Sequence, residues 1–393
     1  MLTEDIAIEL SKKFHEPPWL LKKRLDAFKK FKKLEMPSFK YGIGIFVDVS
    51  DLDLNQINPL DNLNNNKVIN TDIEILSFRE ALQKHEALFK EYFMTKCVTP
   101  DENKFTALHA AFFNNCILIR IPENKSLTEP INISLNANSK SKFDHILIIA
   151  DKNSSARIIE NSYSQINDGQ NFRSQVVEVI IKENARMEYI TIQNLSKSVY
   201  NFCKRKAHVE QNGIIYWIDC SIGSKFTQSL TSTKLNGFGA ESRSLGIIFG
   251  DTDQCFDIYS ETEHAVSKTK CDMLTKVVLN DKAKTVYRGL IKINPNAINC
   301  EGYQKDDTIL LSEDAKADVV PNLEICNNDV KCTHGATISQ IDEDKLFYMM
   351  SRGLNKSDAK NAIIEGFFGP IILKINDNKI EKQIIESISK RLK

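Results

Sequence analysis

A phrase that returns about every thirty residues constrains this 393-residue chain more than any other feature. It consists of an apolar run, a polar turn, a small residue and a second strand-like run. Its copies are ADKNSSARII at 150–159, IKENARMEYI at 181–190, LNDKAKTVYR at 279–288 and LSEDAKADVV at 311–320. Ala156 and Ala185 stand 29 residues apart, Ala283 and Ala315 32 apart. Around them lie short runs of the same kind, such as CILIRI, HILIIA, VVEVII, GIIYWI and TKVVL, with no helical segment of comparable length. One such unit cannot bury its apolar face alone, whereas stacked units share a core and pair their backbones. The pattern predicts a mainly β solenoid, a parallel β-helix. A β-sandwich also uses many short strands, but its hairpins favour Asn-Gly and Asp-Gly turns, which are scarce here.

Helical periods flank the strands. Pro17 and Pro18 can open a helix, because the first turn needs no amide partners, and Leu21, Leu25 and Phe28 follow at helical spacing. Phe78, Leu82, Phe89 and Phe93 mark a second helix, and the Asp- and Asn-rich residues 50–72 read as a long loop. Near the end, Asn355 or Ser357 can cap a helix through Ala359, Ala362, Ile363 and Phe367, with Gly369-Pro370 as its expected stop. A strand-like IILKI and a helical set from Ile380 to Leu392 follow. That pair could cap the last coil or serve as a docking platform. The divisions are a helical region at 1–112, a β-helix core at 113–350 and a helical region at 351–393.

Composition narrows the function. Lys+Arg and Asp+Glu both number 52, so the formal net charge is zero, which argues against nucleic acid as the main partner. Lys22 to Lys33 holds seven basic residues against one Asp and reads as the wet face of a helix. The early acids of MLTEDIAIELSKKF and the lack of a long apolar stretch point to a cytoplasmic chain without membrane segments. Nine cysteines, the closest two six residues apart, form no CxxC and no self-contained ligand run. No phosphate loop, GxGxxG, GxSxG or HExxH is present, so any nucleotide energy must come from another subunit.

The most suggestive group is VKCTHGAT at 330–337. In a strand, Cys332 and His334 face the same way, with Cβ atoms about 7 Å apart. Thiolate and imidazole suit iron or zinc, but two ligands do not close a metal site. Either a packed cysteine and an edge histidine stand here, or another coil or chain completes the set. Cys326 could reach the same neighbourhood, His264 reads as a polar edge residue, and Arg288 calls for an acid in a neighbouring coil or partner.

Together these segments resemble the SufB/SufD family of iron–sulfur cluster assembly scaffolds, and within it the SufD branch. The blocks that carry the resemblance are NKFTALHAAFFNN at 103–115, SETEHAVSKTKCDMLTKVVLNDKAKTVYRGLIKI at 260–293 and DVKCTHGATISQIDEDKLFYMMSRGLNKSDAKNAIIEGF at 329–367. The resemblance implies a right-handed parallel β-helix between helical regions. It implies pairing with a SufB-like subunit through the β-helices and docking of a SufC-like ATPase on residues 351–393. It implies no enzymatic site in this chain, a transient iron–sulfur cluster shared with the SufB-like partner, and reduced flavin associated with the SufBCD complex. Cys332 and His334 match the cysteine and histidine of SufD near that interface. Where SufB has a cysteine in QCDS, this chain has Gln304-Lys305-Asp306-Asp307, and where SufB has Glu in HEAT it has Gly335.

Overall fold

The computed structural model describes residues 2–61, 66–69, 73–165 and 168–392. Helices α1 (Glu4–Phe14) and α2 (Pro18–Lys33) open the chain. Short strands β1 (Asn66–Ile69) and β2 (Ile75–Ser77) and helices α3 (Phe78–Tyr92) and α4 (Lys104–Phe112) follow. The strand series begins with β3 (Asn115–Ile121), β4 (Ile131–Asn136), β5 (Ser141–Ala150), β6 (Ser155–Tyr163), β7 (Asn171–Ile181) and β8 (Arg186–Asn194). It continues with β9 (Val199–Val209), β10 (Ile214–Ser221), β11 (Phe226–Leu235), β12 (Glu241–Gly250) and β13 (Cys255–His264). It ends with β14 (Lys270–Leu279), β15 (Lys284–Ile293), β16 (Cys300–Leu310), β17 (Lys316–Ile325) and β18 (Val330–Gln340). Helices α5 (Glu343–Ser351), α6 (Lys356–Ile375) and α7 (Asn378–Ser389) close the described chain.

Successive strands alternate between two sheets. The even strands from β4 to β18 stack in parallel, and so do the odd strands from β3 to β17. This is a parallel β-solenoid between helical regions, as the thirty-residue phrase predicts; a sandwich of hairpins would pair its neighbours antiparallel. Ala185, Ala283 and Ala315 stand in the turns just before their strands, the first two fully buried and the third nearly so. Ala156 instead lies within β6, in register with Met187, and Ser154 takes the turn position of that coil.

The turns also hold a column of asparagines. Asn124, Asn153, Asn184 and Asn212 all have positive φ, between 52° and 59°, a region Asn tolerates better than other non-glycine residues. Each amide donates to the side chain one coil earlier: Asn153 to Asn124 at 2.9 Å, Asn184 to Asn153 at 3.0 Å, Asn212 to Asn184 at 3.2 Å. The ladder ties backbone strain to coil spacing.

Alternation sends every second side chain into the solenoid. Ile146, Ile148, Val177, Val179, Met187 and Trp217 fill its early core. The same interior buries paired charges. Arg173 reaches Glu160 at 3.5 Å and Asp144 at 3.6 Å, and Arg205 reaches Asp219 at 3.2 Å.

Outside the odd sheet, α1 to α4 pack a phenylalanine-rich layer on Phe143, Phe172, Phe202 and Phe226. The basic stretch of α2 is only partly wet. Arg24 is fully buried, bonded to Glu16 at 2.6 Å and stacked 3.6 Å over Phe113, and Lys23 donates to the Phe93 carbonyl. Helix α4 has no apolar period because every residue after Lys104 is buried. Beneath it, Glu178 accepts from the Met94 and Val98 amides and contacts His145, which contacts His109, which contacts Ser174. Burial raises Glu178 to about 7 and holds both histidines well below their usual range.

Three expectations change. The supposed loop at 50–72 contains β1, while 62–65 and 70–72 lie outside the described residues. Gly369-Pro370 does not stop α6, and IILKI forms its last turns. Proline forfeits one amide bond there, but Ile371, Ile372 and Ile375 are buried against the even sheet, and that burial keeps the helix intact. Helices α6 and α7 do not cap the last coil either. They lie on the outer face of the even sheet over Ile190, Ile218, Ile247 and Phe249. Among the described residues, no helix is long and apolar enough to cross a membrane.

The two ends of the solenoid differ. At the first coil β1 pairs antiparallel with β4 and β2 with β3, so both sheets are finished by strands running against the stack. At the last coil β17 and β18 terminate their sheets with unpaired edges.

Candidate functional site

Strand β18 lies on β16 in register, Cys332 on Gly302, His334 on Gln304 and Ala336 on Asp306. Gly302 lies in turn on Cys271 of β14. These positions share the inward parity, and the even sheet supplies a column of cysteine, glycine and cysteine over three coils. Gly302 is required by packing: a Cβ built there would meet the Cys332 Sγ at 3.1 Å and Ile291 at 3.1 Å. The thiol of Cys332 thus leans into the slot the glycine leaves. Burial raises its pKa, with the Cys300 thiol adding to the effect, so metal binding at Cys332 would have to release a proton.

His334 is exposed in β18, and Cys332 is half-buried. The structure therefore puts both on β18, the terminal strand of the even sheet among the described residues. Cys326 is exposed in the turn after β17, its amide bonded to the Ile293 carbonyl. His264 is not the edge residue that its acidic flank suggests. It faces inward, fully buried, against Thr269 Oγ1 at 2.7 Å and Cys271 Sγ at 3.2 Å. Desolvation lowers its pKa to about 4, so it is neutral at physiological pH. Thr269 also contacts Cys300 Sγ at 3.2 Å. Three cysteines and a histidine thus line the end of the interior, a grouping hidden in the sequence by gaps of seven to thirty-two residues. Strand alternation and coil register are the signals that find it.

Below His334, Gln304 and Asp306 are buried, with Gln304 Nε2 donating to Asp306 Oδ2 at 3.0 Å. Gly289 in β15 makes room for that amide across the interior: a Cβ there would lie 1.9 Å from Gln304 Nε2. Burial raises Asp306 to about 7. Arg288, next to Gly289, finds its acid in the neighbouring coil, Asp257 at 2.8 Å, and stacks between Tyr41 and Tyr259. Among the described residues, no group of three or more His, Cys, Asp or Glu is arranged to hold a metal ion.

The comparison with protein families falls on this same stretch. Residues 133–367 match the model described as "SUF system FeS cluster assembly, SufBD core domain", which spans the solenoid and most of α6. The chain belongs to the SufBD family. It is also similar, at 30% identity over 94% of its length and 88% of the relative's, to an iron–sulfur cluster assembly SufBD family protein of Staphylococcus saprophyticus. Relatives of the same description in Staphylococcus epidermidis and Staphylococcus aureus are 29% identical with the same coverage. For a SufBD protein the unfinished coil takes on meaning, because it carries the cysteine and histidine that the sequence singles out.

Proposed function

We propose that this SufBD protein is a SufD-like scaffold subunit whose open coil joins a SufB-like subunit, with Cys332 and His334 at the seam where an iron–sulfur cluster is assembled. The observation that carries this reading is the coincidence of two unpaired sheet edges with the exposed pair Cys332 and His334 on a single strand. Free edges offer rows of backbone donors and acceptors to another chain. A cluster held there would draw thiolate and imidazole from β18 and its remaining ligands from the partner. The SufD-like assignment is supported by Lys305 and Gly335, which stand where the SufB pattern has its cysteine and its acid.

In this reading a SufC-like ATPase docks on residues 351–393 and supplies the nucleotide site, and the complex works in the cytoplasm. Leu373 on α6 is 75% exposed although its neighbours Ile371 and Ile372 are buried, which makes it the natural anchor for that contact.

The deciding experiment is anaerobic cluster reconstitution on the co-purified complex, comparing wild type with Cys332→Ala and His334→Ala by iron content and Mössbauer spectroscopy. The expected result is lost iron in an intact complex. Unchanged loading would leave this chain as structural support and move the chemistry to the SufB-like subunit. Separately, Leu373→Glu should release the ATPase while leaving the SufB-like subunit bound.

A further inference from the structure

One coil beneath His334, the interior holds polar oxygens that no protein group satisfies. Asp306 Oδ1, Gln304 Oε1 and Thr308 Oγ1 are buried without a hydrogen-bond partner, on residues at most 1% exposed. All three share the inward face of β16. Leaving such groups unmet costs stability, most of all for a carboxylate in an apolar setting. Earlier coils place charges inside as pairs, Arg173 with Glu160 and Arg205 with Asp219. Asp306 has the Gln304 amide at one oxygen and the neutral Tyr287 hydroxyl beside it, and no ion pair among the described residues holds it.

One strand, β18, lies between this buried carboxylate and the end of the even sheet. In register, Ala336 pairs with Asp306 and His334 with Gln304. A carboxylate oxygen, an amide oxygen and an imidazole suit a divalent cation of the hard to intermediate class, such as Fe(II) or Mn(II). Thiolate chemistry stays at Cys332, on the far side of His334 along β18.

We infer that Asp306, with Gln304 beside it, forms the floor of a divalent-cation site under the last coil, completed from above by His334. The site takes the bare ion and does not require a cluster. The inference draws on the proposed assembly role only in naming Fe(II) as the ion met in the cell. A carboxylate retained there at a cost to the fold is what a binding function would maintain.

The test uses the full-length chain and Mn(II), titrated anaerobically and followed by loss of the free-ion electron paramagnetic resonance signal. We expect one bound equivalent in wild type. Binding should weaken at least tenfold in Asp306→Asn and survive in part in Asp306→Glu. Thermal melts of the metal-free chains keep the result readable, since Asp306→Asn should melt higher than wild type once the unmet charge is gone. Wild-type binding retained in Asp306→Asn, or no saturable binding by wild type, overturns the inference. The readouts separate from those of the assembly role: cluster loading insensitive to Cys332 and His334 would end that reading and leave Mn(II) binding at Asp306 standing.

Discussion

The first and last coils of this solenoid are built from the same strand–turn–strand unit and end in opposite ways. At the first coil, β1 and β2 run antiparallel onto the stack and consume its edge hydrogen bonds. The interior behind them carries matched charges, with Arg173 held by Glu160, Asp144, Asn201 and Ser162. At the last coil, β17 and β18 keep bare edges, most residues of β18 are exposed, and the polar atoms beneath it are unmatched. A repeat architecture needs caps for solubility and stability. Here one end has its cap in the chain itself, while at the other β17 and β18 end their sheets.

The largest effect expected from breaking this contrast lies at the finished end. Arg173→Ala strands two buried carboxylates and should cost about 3–5 kcal/mol in denaturant unfolding, enough to threaten the fold. A loss below about 1 kcal/mol would mean that water already serves those charges.

The next effect is a pH dependence. An unfolded His264 takes up its proton near 6.5, whereas the folded one resists until about 4. Unfolding therefore gains protons as pH falls through that window, and stability drops by roughly 3 kcal/mol from this group. His109 and His145 act in the same direction. Asp306 works against them, since its raised pKa favours the folded state at low pH and loses that advantage as pH rises from about 4 to 7. Glu178, likewise raised to about 7, opposes them in the same way. His264→Gln should remove the acid-side loss that His264 contributes, so that denaturant midpoints at pH 4 rise relative to pH 7.

Asn153→Ala should cost about 1–2 kcal/mol, because alanine is strained at φ 57° and two ladder bonds disappear. Asn153→Gly should cost less, having only the bonds to lose. The smallest effect belongs to the open end: Cys332→Ala and His334→Ala should each move the stability of the chain alone by less than about 0.5 kcal/mol. A large loss at either position would show that the last coil depends on them for its own folding, and would blur the contrast.

Much of this plan was legible in the sequence because solenoid physics repeats. The apolar runs fell on strands, three of the four repeated alanines on turns, and alternation gave Cys332 and His334 a common face. The asparagine ladder was equally present, as asparagines separated by 28 to 31 residues, but its meaning depends on positive φ, which composition does not display. The misreadings share a cause. The buried isoleucines at the end of α6 and the side chain of His264 are covered by elements distant in sequence, so no local period or polarity marked them. The pairing of Gly289 with Gln304 is likewise a contact across the interior that only the coil register reveals.

Each coil of a solenoid is held mainly by its two neighbours, and β18 has only one. Its backbone should therefore exchange amide hydrogens by fraying, on a faster clock than the coils under the helical layers. A strand that opens before the rest of the molecule can close again without unfolding anything else. The missing neighbour thus sets a rate as well as a surface: the polar interior beneath β18 is shielded only for as long as the last strand stays down.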